Sequence, residues 1–171
     1  MAINQKPDVH NLIMCTNIFI RKDGKWLLMK RSPQKKFAPD VVHPFGGKID
    51  LNENPFLGAK REILEETGLQ VKNIKLEAVI LEITPVKDRD ENWLIFHFSA
   101  DYDSGELIES EEGLPVFLTD EEVKKEKLFP SVRVMIDNII NPSDGTAFAT
   151  VSYNEDGSVN TSTLKLDICS L

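Results

Sequence analysis

GKIDLNENPFLGAKREILEETGL, residues 47–69, is the stretch whose reading decides the fold. Its centre reads as a helix over 54–67. Asn54 offers a capping side chain, Pro55 suits the first helical position, and Gly68 suits a left-handed stop. At about 100° per residue, Glu62, Glu65 and Glu66 fall within an arc of roughly 100°. Phe56, Ala59 and Ile63 fall on another arc and are expected to face the core. Three carboxylates therefore project together from a helix anchored by its other side.

Like charges at this spacing repel by a few tenths of a kcal/mol per pair. A hard divalent cation such as Mg²⁺ or Mn²⁺ would relieve that repulsion, because it takes carboxylate oxygens as ligands. Arg61 lies four residues before Glu65, where its planar fork can brace a carboxylate or touch phosphate. Gly46 and Gly47 let the backbone turn tightly and approach a ligand closely.

Outward from this helix the chain is rich in strand signals. Residues 11–20 and 26–30 read as a hairpin around Asp23-Gly24. Residues 32–44, with Pro33, Pro39 and Pro44, read as a surface loop. Strands are expected over 74–84 and 93–101, joined by the polar turn 87–92, and over 115–118. In the second of these, Leu94, Phe96, Phe98 and Ala100 are expected in the core. Trp93, Ile95, His97, Ser99 and Asp101 are expected to line a cleft. Helices are expected over 120–127 and 131–140. A linker-like break at 141–145 and a second hairpin over 146–168 follow, with Leu164, Leu166 and Ile168 on one buried face. The pattern is an α+β or layered α/β domain.

The 171 residues are one domain's worth of chain. With 20 Lys and Arg against 28 Asp and Glu, the net charge of -8 argues against nucleic-acid polymers and anionic membranes as partners. Two distant cysteines, Cys15 and Cys169, suggest neither a zinc site nor a disulfide framework. With no apolar signal core and no transmembrane run, the expected location is the cytoplasm.

The quoted stretch resembles the signature of the Nudix hydrolases, G-x5-E-x7-R-E-U-x-E-E-x-G-U with U aliphatic. Gly47, Glu53, Arg61, Glu62, Ile63, Glu65, Glu66, Gly68 and Leu69 fill all nine specified positions. A chance match is on the order of one in a million. The resemblance implies an α/β/α sandwich around a mixed sheet over residues 1–141, with 142–171 as a hairpin extension on the same domain. Two positions depart from the commoner form. The lead-in is Phe45-Gly46-Gly47 with Pro44 one place earlier, and Asn52 stands at a frequent glycine. The loop conformation is expected to reflect both.

The resemblance also implies roles. Glu62, Glu65 and Glu66 match metal-binding glutamates, Glu62 or a neighbour activating the attacking water. Gly46 matches a backbone carbonyl that joins the metal shell, and Glu53 a supporting glutamate. Glu112, with Glu111 second, matches a further glutamate from a later loop that also holds Glu106 and Glu109. Arg31 and Lys48 are candidates for gripping a diphosphate. Trp93, His97 and Asn17 are candidate base or ring contacts, and His43 is read as a loop residue. The implied activity is Mg²⁺-dependent cleavage of a phosphoanhydride bond in a nucleoside diphosphate linked to another group. A nucleoside triphosphate, oxidised purine forms included, is the first substrate class, releasing nucleoside monophosphate and diphosphate. ADP-ribose or a nucleotide sugar is the alternative, with Pro85 a weak pointer towards it. A non-catalytic nucleotide-sensing domain is the reading from another class. The partner is a small nucleotide, and the chain is expected to be a monomer or homodimer.

Overall fold

The computed structural model describes residues 11–35, 38–86, 90–108, 110–142 and 145–169. Their elements run β1 (Leu12–Lys22), β2 (Lys25–Arg31), β3 (Val42–His43), β4 (Phe45–Lys48), α1 (Pro55–Thr67), β5 (Leu69–Glu82) and β6 (Asn92–Gly105). They continue with β7 (Gly113–Leu118), α2 (Asp120–Lys125), α3 (Pro130–Ile140), β8 (Thr146–Val151) and β9 (Lys165–Cys169). The first hairpin turns at Asp23 and Gly24, both at positive φ (52° and 73°), as a two-residue turn requires. Of the expected turns, residues 87–89 and 143–144 lie outside the described residues, as does Glu109 of the acidic loop.

The strands form one mixed sheet in the order β3-β2-β1-β6-β5-β8-β9, with β4 also paired to β1 and β7 to β2. At its centre β1 and β6 run parallel from Leu12–Asn92 to Arg21–Asp101. A central parallel pair is covered on both faces, which is why residues 15–20 are buried without a break. On one face Ile18, Ile20, Leu27, Phe45 and Phe98 pack under Ala59 and Ile63 of α1. On the other, Phe19, Trp26 and Leu28 pack under Val123 of α2 and Val132 and Ile136 of α3. The protein is thus a three-layer α/β/α sandwich. Burial of a side chain such as Ile63 is worth roughly 1.5–3 kcal/mol, and Ile63 sets the rotation of α1 about its axis.

Several expectations change. Phe56 is not in the core but 45% exposed, because the buried stripe of α1 runs through Gly58, Ala59, Ile63 and Thr67. The loop expected over 32–44 contains the two-residue strand β3, and Phe45-Gly46-Gly47-Lys48 is itself a strand against β1. β5 begins at Leu69 rather than near 74, its N-terminal half bent by register shifts at Gln70/Val71, Lys72/Lys75 and Leu76/Ala78. The expected cleft face of β6 is interrupted at its middle. Trp93 and Ile95 line one cleft and Ser99 and Asp101 another, while His97 is fully buried against Phe19.

β8 joins β5 in parallel and β9 closes the sheet antiparallel to β8. Ala147, Ala149 and Val151 of β8 are buried with Met135 of α3. The buried face expected for Leu166 and Ile168 is not found: they are 43% and 48% exposed, since α3 does not reach past β8. Leu164 alone of that trio packs on the core.

Candidate active site

The site begins at the start of α1. Asn54 accepts a hydrogen bond from Leu57 N–H at 3.0 Å, and Gly68 ends the helix at φ 72° with its N–H on Leu64 carbonyl. These caps fix which turn of α1 faces β4. Arg61 is the hub. Its Nε and Nη2 donate to the two Glu53 oxygens at 3.0 and 2.9 Å, a two-pronged grip. Nη2 also donates to the Lys48 carbonyl at 3.0 Å, and Nη1 reaches Glu62 at 2.8 Å and Glu65 at 3.1 Å. Asp50 stands 3.6 Å from Nε. Arg61 thus ties the loop before the helix to the carboxylates on it. Its hydrogen bonds hold Glu53 below the usual carboxylate range, with the Asp50 N–H adding to the effect.

The two glycines serve distances. At Gly46, φ is 146° and a Cβ would sit 2.0 Å from the Thr16 carbonyl oxygen, so only glycine lets β4 lie this close to β1. At Gly47 a Cβ would fall 2.6 Å from both Glu62 oxygens. The close approach expected towards a ligand is therefore made, in these residues, to β1 and to Glu62. Asn52, at the frequent-glycine position, takes φ 67°, a left-handed conformation that asparagine tolerates better than most residues.

Glu66 lies deeper than its neighbours and accepts the Gly46 N–H at 3.0 Å. Burial, with the Glu62 and Glu112 charges behind it, pushes its carboxyl up to about 7 against the pull of that N–H and of Arg31. Burial also raises Glu62, opposed by Arg61. Glu65 is the exposed member of the three, at 58%. Glu112, from the loop before β7, acts on Glu66 through its charge and is itself held by Lys35 Nζ at 2.6 Å. Glu111 lies farther out, along a groove.

A divalent cation fits this donor set chemically: oxygen ligands only, from crowded carboxylates of which burial raises Glu62 and Glu66. Among the described residues no three His, Cys, Asp or Glu side chains yet converge on one point. Arg61 holds Glu62 and Glu65, and Lys35 holds Glu112.

Beside β4 a cleft of about 150 Å³ is lined by Asn17, Arg31, Gly46, Gly47, Trp93 and Ser131. Arg31, Asn17 and Trp93 thus line one cleft. Lys48 is exposed, and its charge opposes the burial that drives the neighbouring Cys15 thiol up to about 12. His97 is not brought to the cleft: burial, with the His43 charge adding to it, depresses its pKa to about 3. His43 is a strand residue that lines the cleft, its Nδ1–H donating to the Pro44 carbonyl at 2.6 Å. Burial pushes it down to about 4.

Sequence reasoning missed Lys35, Ser131 and Glu82. Lys35 and Ser131 carry no pattern that would single them out. Glu82 did leave a signal, a lone acid on the buried phase of Ala78 and Ile80. Both Glu82 oxygens and the hydroxyls of Ser131 and Tyr153 lie buried without a partner at hydrogen-bonding geometry. Burial raises the Glu82 carboxyl, and those two hydroxyls favour its charged form.

A three-layer sandwich with an Arg-braced carboxylate set between a Gly-Gly strand and the following helix defines a class, and comparison with known proteins agrees. The family profile described as NUDIX domain matches residues 14–139. The chain belongs to the Nudix family. It is 36% identical over 102 residues to the uncharacterized Nudix hydrolase YvcI of Bacillus subtilis, covering 57% of this chain and 60% of that one. It is 29% identical over 94 residues to the NAD-capped RNA hydrolase NudC of Shigella dysenteriae, covering 55% and 33%. The chain spans about 60% or less of the length of these curated relatives. Among solved structures, the mutator MutT protein from Bacillus halodurans superposes with a TM-score of 0.77 at 24% identity, over 91% of this chain and 97% of that one, a likeness of fold. Among the described residues no helix is long and apolar enough to cross a membrane.

Proposed function

We propose that the protein hydrolyses a phosphoanhydride bond in a nucleoside diphosphate linked to another group. The observation that carries this reading is the Arg61 hub, which gathers Glu53, Glu62 and Glu65 beside Glu66 at the edge of a cleft lined by Arg31. Glu62, Glu65, Glu66, the Gly46 carbonyl and Glu112 would hold Mg²⁺, or Mn²⁺ in its place. When bound, such an ion neutralises phosphate charge and makes water acidic enough to attack near neutral pH.

The chain's own residues do the remainder. Glu62, or Glu65 beside it, takes the proton of the attacking water. Arg61 fixes both carboxylates, and Glu53 fixes Arg61. Arg31 and Lys48 grip the diphosphate, Arg31 bringing an Nε that is buried and unpartnered among the described residues. Gly47 keeps the space in which Glu62 stands. Catalysis is then mainly positioning and charge stabilisation.

Nucleoside triphosphates, oxidised purine forms included, are the substrate class favoured by the compact site; ADP-ribose and nucleotide sugars are the alternative. The free thiols of Cys15 and Cys169 fit a reducing, cytoplasmic setting. The deciding experiment is a product assay over triphosphates, oxidised triphosphates, ADP-ribose and dinucleoside polyphosphates, each with Mg²⁺ and with Mn²⁺. A nucleoside monophosphate released only with metal is the expected result. Tight nucleotide binding without turnover across the panel would instead identify a sensor.

A further inference from the structure

The cleft beside Gly46 and Gly47 is too small for a whole nucleotide. Its 150 Å³ matches a cavity that takes one benzene ring, whereas sites for small-molecule ligands run to roughly 300–1,000 Å³. Most of the substrate must therefore lie in what adjoins the cleft. Two grooves do. One, of about 780 Å³, meets it at Arg31 and is also lined by Lys30 and Lys35. The other, of about 960 Å³, meets it at Ala38 and Phe129.

The second groove is walled by Tyr153–Gly157, from the part of the chain that follows α3, over an apolar floor that includes Pro85 and Leu128. Among the described residues its lining carries Glu155 and Asp156 against the one cation Lys127. Phosphate is better placed on the other side, where Arg31, Lys30 and Lys35 outnumber Asp40 and Glu111 among the described lining residues. The wall is also built in advance. Asp156 accepts Ser158 N–H and Oγ–H at 2.9 and 2.6 Å, and Gly157 N–H closes on the Asn154 carbonyl at 3.0 Å. The Tyr153 hydroxyl is buried beside Glu82 and Ser131, and Ser131 lines the cleft. A braced turn of this kind loses little freedom when it binds. Ser158 takes one Asp156 oxygen, Oδ1, for both bonds, so Glu155 is the rim's carboxylate with both oxygens available.

We propose that this groove is the subsite for the nucleoside end of the substrate, with the base on the apolar floor, the ribose hydroxyls on Glu155, and the phosphates running back past Ala38 and Phe129 to Arg31. The segment after α3 is then a specificity element. The inference rests on the nucleotide-cleaving function proposed above.

The test is isothermal titration of the full chain with the four ribonucleoside monophosphates and their 2′-deoxy forms, alongside steady-state kinetics on the matching triphosphates. Two exposed positions are varied, Lys127→Trp to fill the groove and Glu155→Gln to remove the acceptor charge, with circular dichroism to verify folding. Lys127→Trp is expected to weaken every nucleotide by about tenfold or more. Glu155→Gln is expected to weaken ribo forms by about three- to tenfold and deoxy forms, which keep only the 3′-hydroxyl, by less. KM should follow these affinities, with kcat unmoved. Unchanged binding and KM in both variants, or no nucleotide binding by the parent chain, overturns the subsite. Turnover with unmoved KM removes the subsite and leaves the proposed function standing. Loss of binding in the variants of a chain that never turns over supports the subsite and removes the proposed function.

Discussion

Replacing Gly47 by alanine moves a carboxylate without deleting it. The added Cβ would lie 2.6 Å from both Glu62 oxygens, and ordinary contact begins near 3.4 Å, so the carboxylate must retreat by about 0.8 Å. The backbone of Gly47 is not at positive φ, so alanine itself is tolerated there. The retreat costs Glu62 its 2.8 Å bond to Arg61. A displacement near 1 Å in a catalytic group lowers rate by roughly 100-fold. Gly→Ala at a compatible site gains about 0.4–1 kcal/mol through the unfolded chain, which offsets part of the lost bond. The expected result is a kcat about 100-fold lower with a melting temperature within a few degrees of the parent. The assay pairs the rate of nucleoside monophosphate release with a thermal melt. A full rate in Gly47→Ala would refute the role given to Glu62. A collapsed fold with the rate falling only in step would show the position to be structural.

Three further outcomes follow from the same geometry. Gly58→Ala adds a helix-favouring residue worth about 1 kcal/mol, but its Cβ meets Glu53 Oε2 at 3.0 Å. A melt should show a gain of roughly 2–4 °C and kinetics a milder loss than Gly47→Ala. Arg61→Lys keeps the charge but loses the two-pronged grip on Glu53 and the ties to Glu62, Glu65 and Lys48. It should cut kcat about 10- to 100-fold while circular dichroism stays native. His97 is held neutral at about 3, so between its unfolded value near 6.5 and pH 3 the unfolded chain binds the extra proton. Its stability contribution is therefore complete above pH 6.5 and is lost as pH falls. Denaturant melts should show His97→Phe losing less stability than the parent between pH 7 and pH 4.5.

The helix of the quoted stretch was legible almost to the residue, because cap, first-turn proline and terminal glycine act locally and all three are in the sequence. The hub was legible in part. The spacing of Arg61 and Glu65 suggested a brace, but the grip on Glu53 depends on a loop that folds back eight residues. Strand β4 was hidden because two of its four residues are glycines, which carry no periodicity. The buried position of His97 depends on where α3 lies, and no residue of β6 records that. The exposure of Leu166 and Ile168 has the same origin: alternation fixes which face a residue is on, whereas burial requires something to cover it. The groove beside Phe129 is beyond sequence altogether, since its walls come from residues 38, 39, 41, 84–85, 127–130 and 153–157.

The central claim, that Glu62 and Glu66 make a metal-dependent site for phosphoanhydride hydrolysis, is tested most directly by one rate comparison. The parent chain and Glu62→Gln/Glu66→Gln are assayed on the best nucleotide of the panel with Mg²⁺ and with excess chelator. Metal-dependent release of nucleoside monophosphate by the parent, abolished in the double variant and in chelator, is the predicted result. Full activity in either the double variant or the chelator would contradict it.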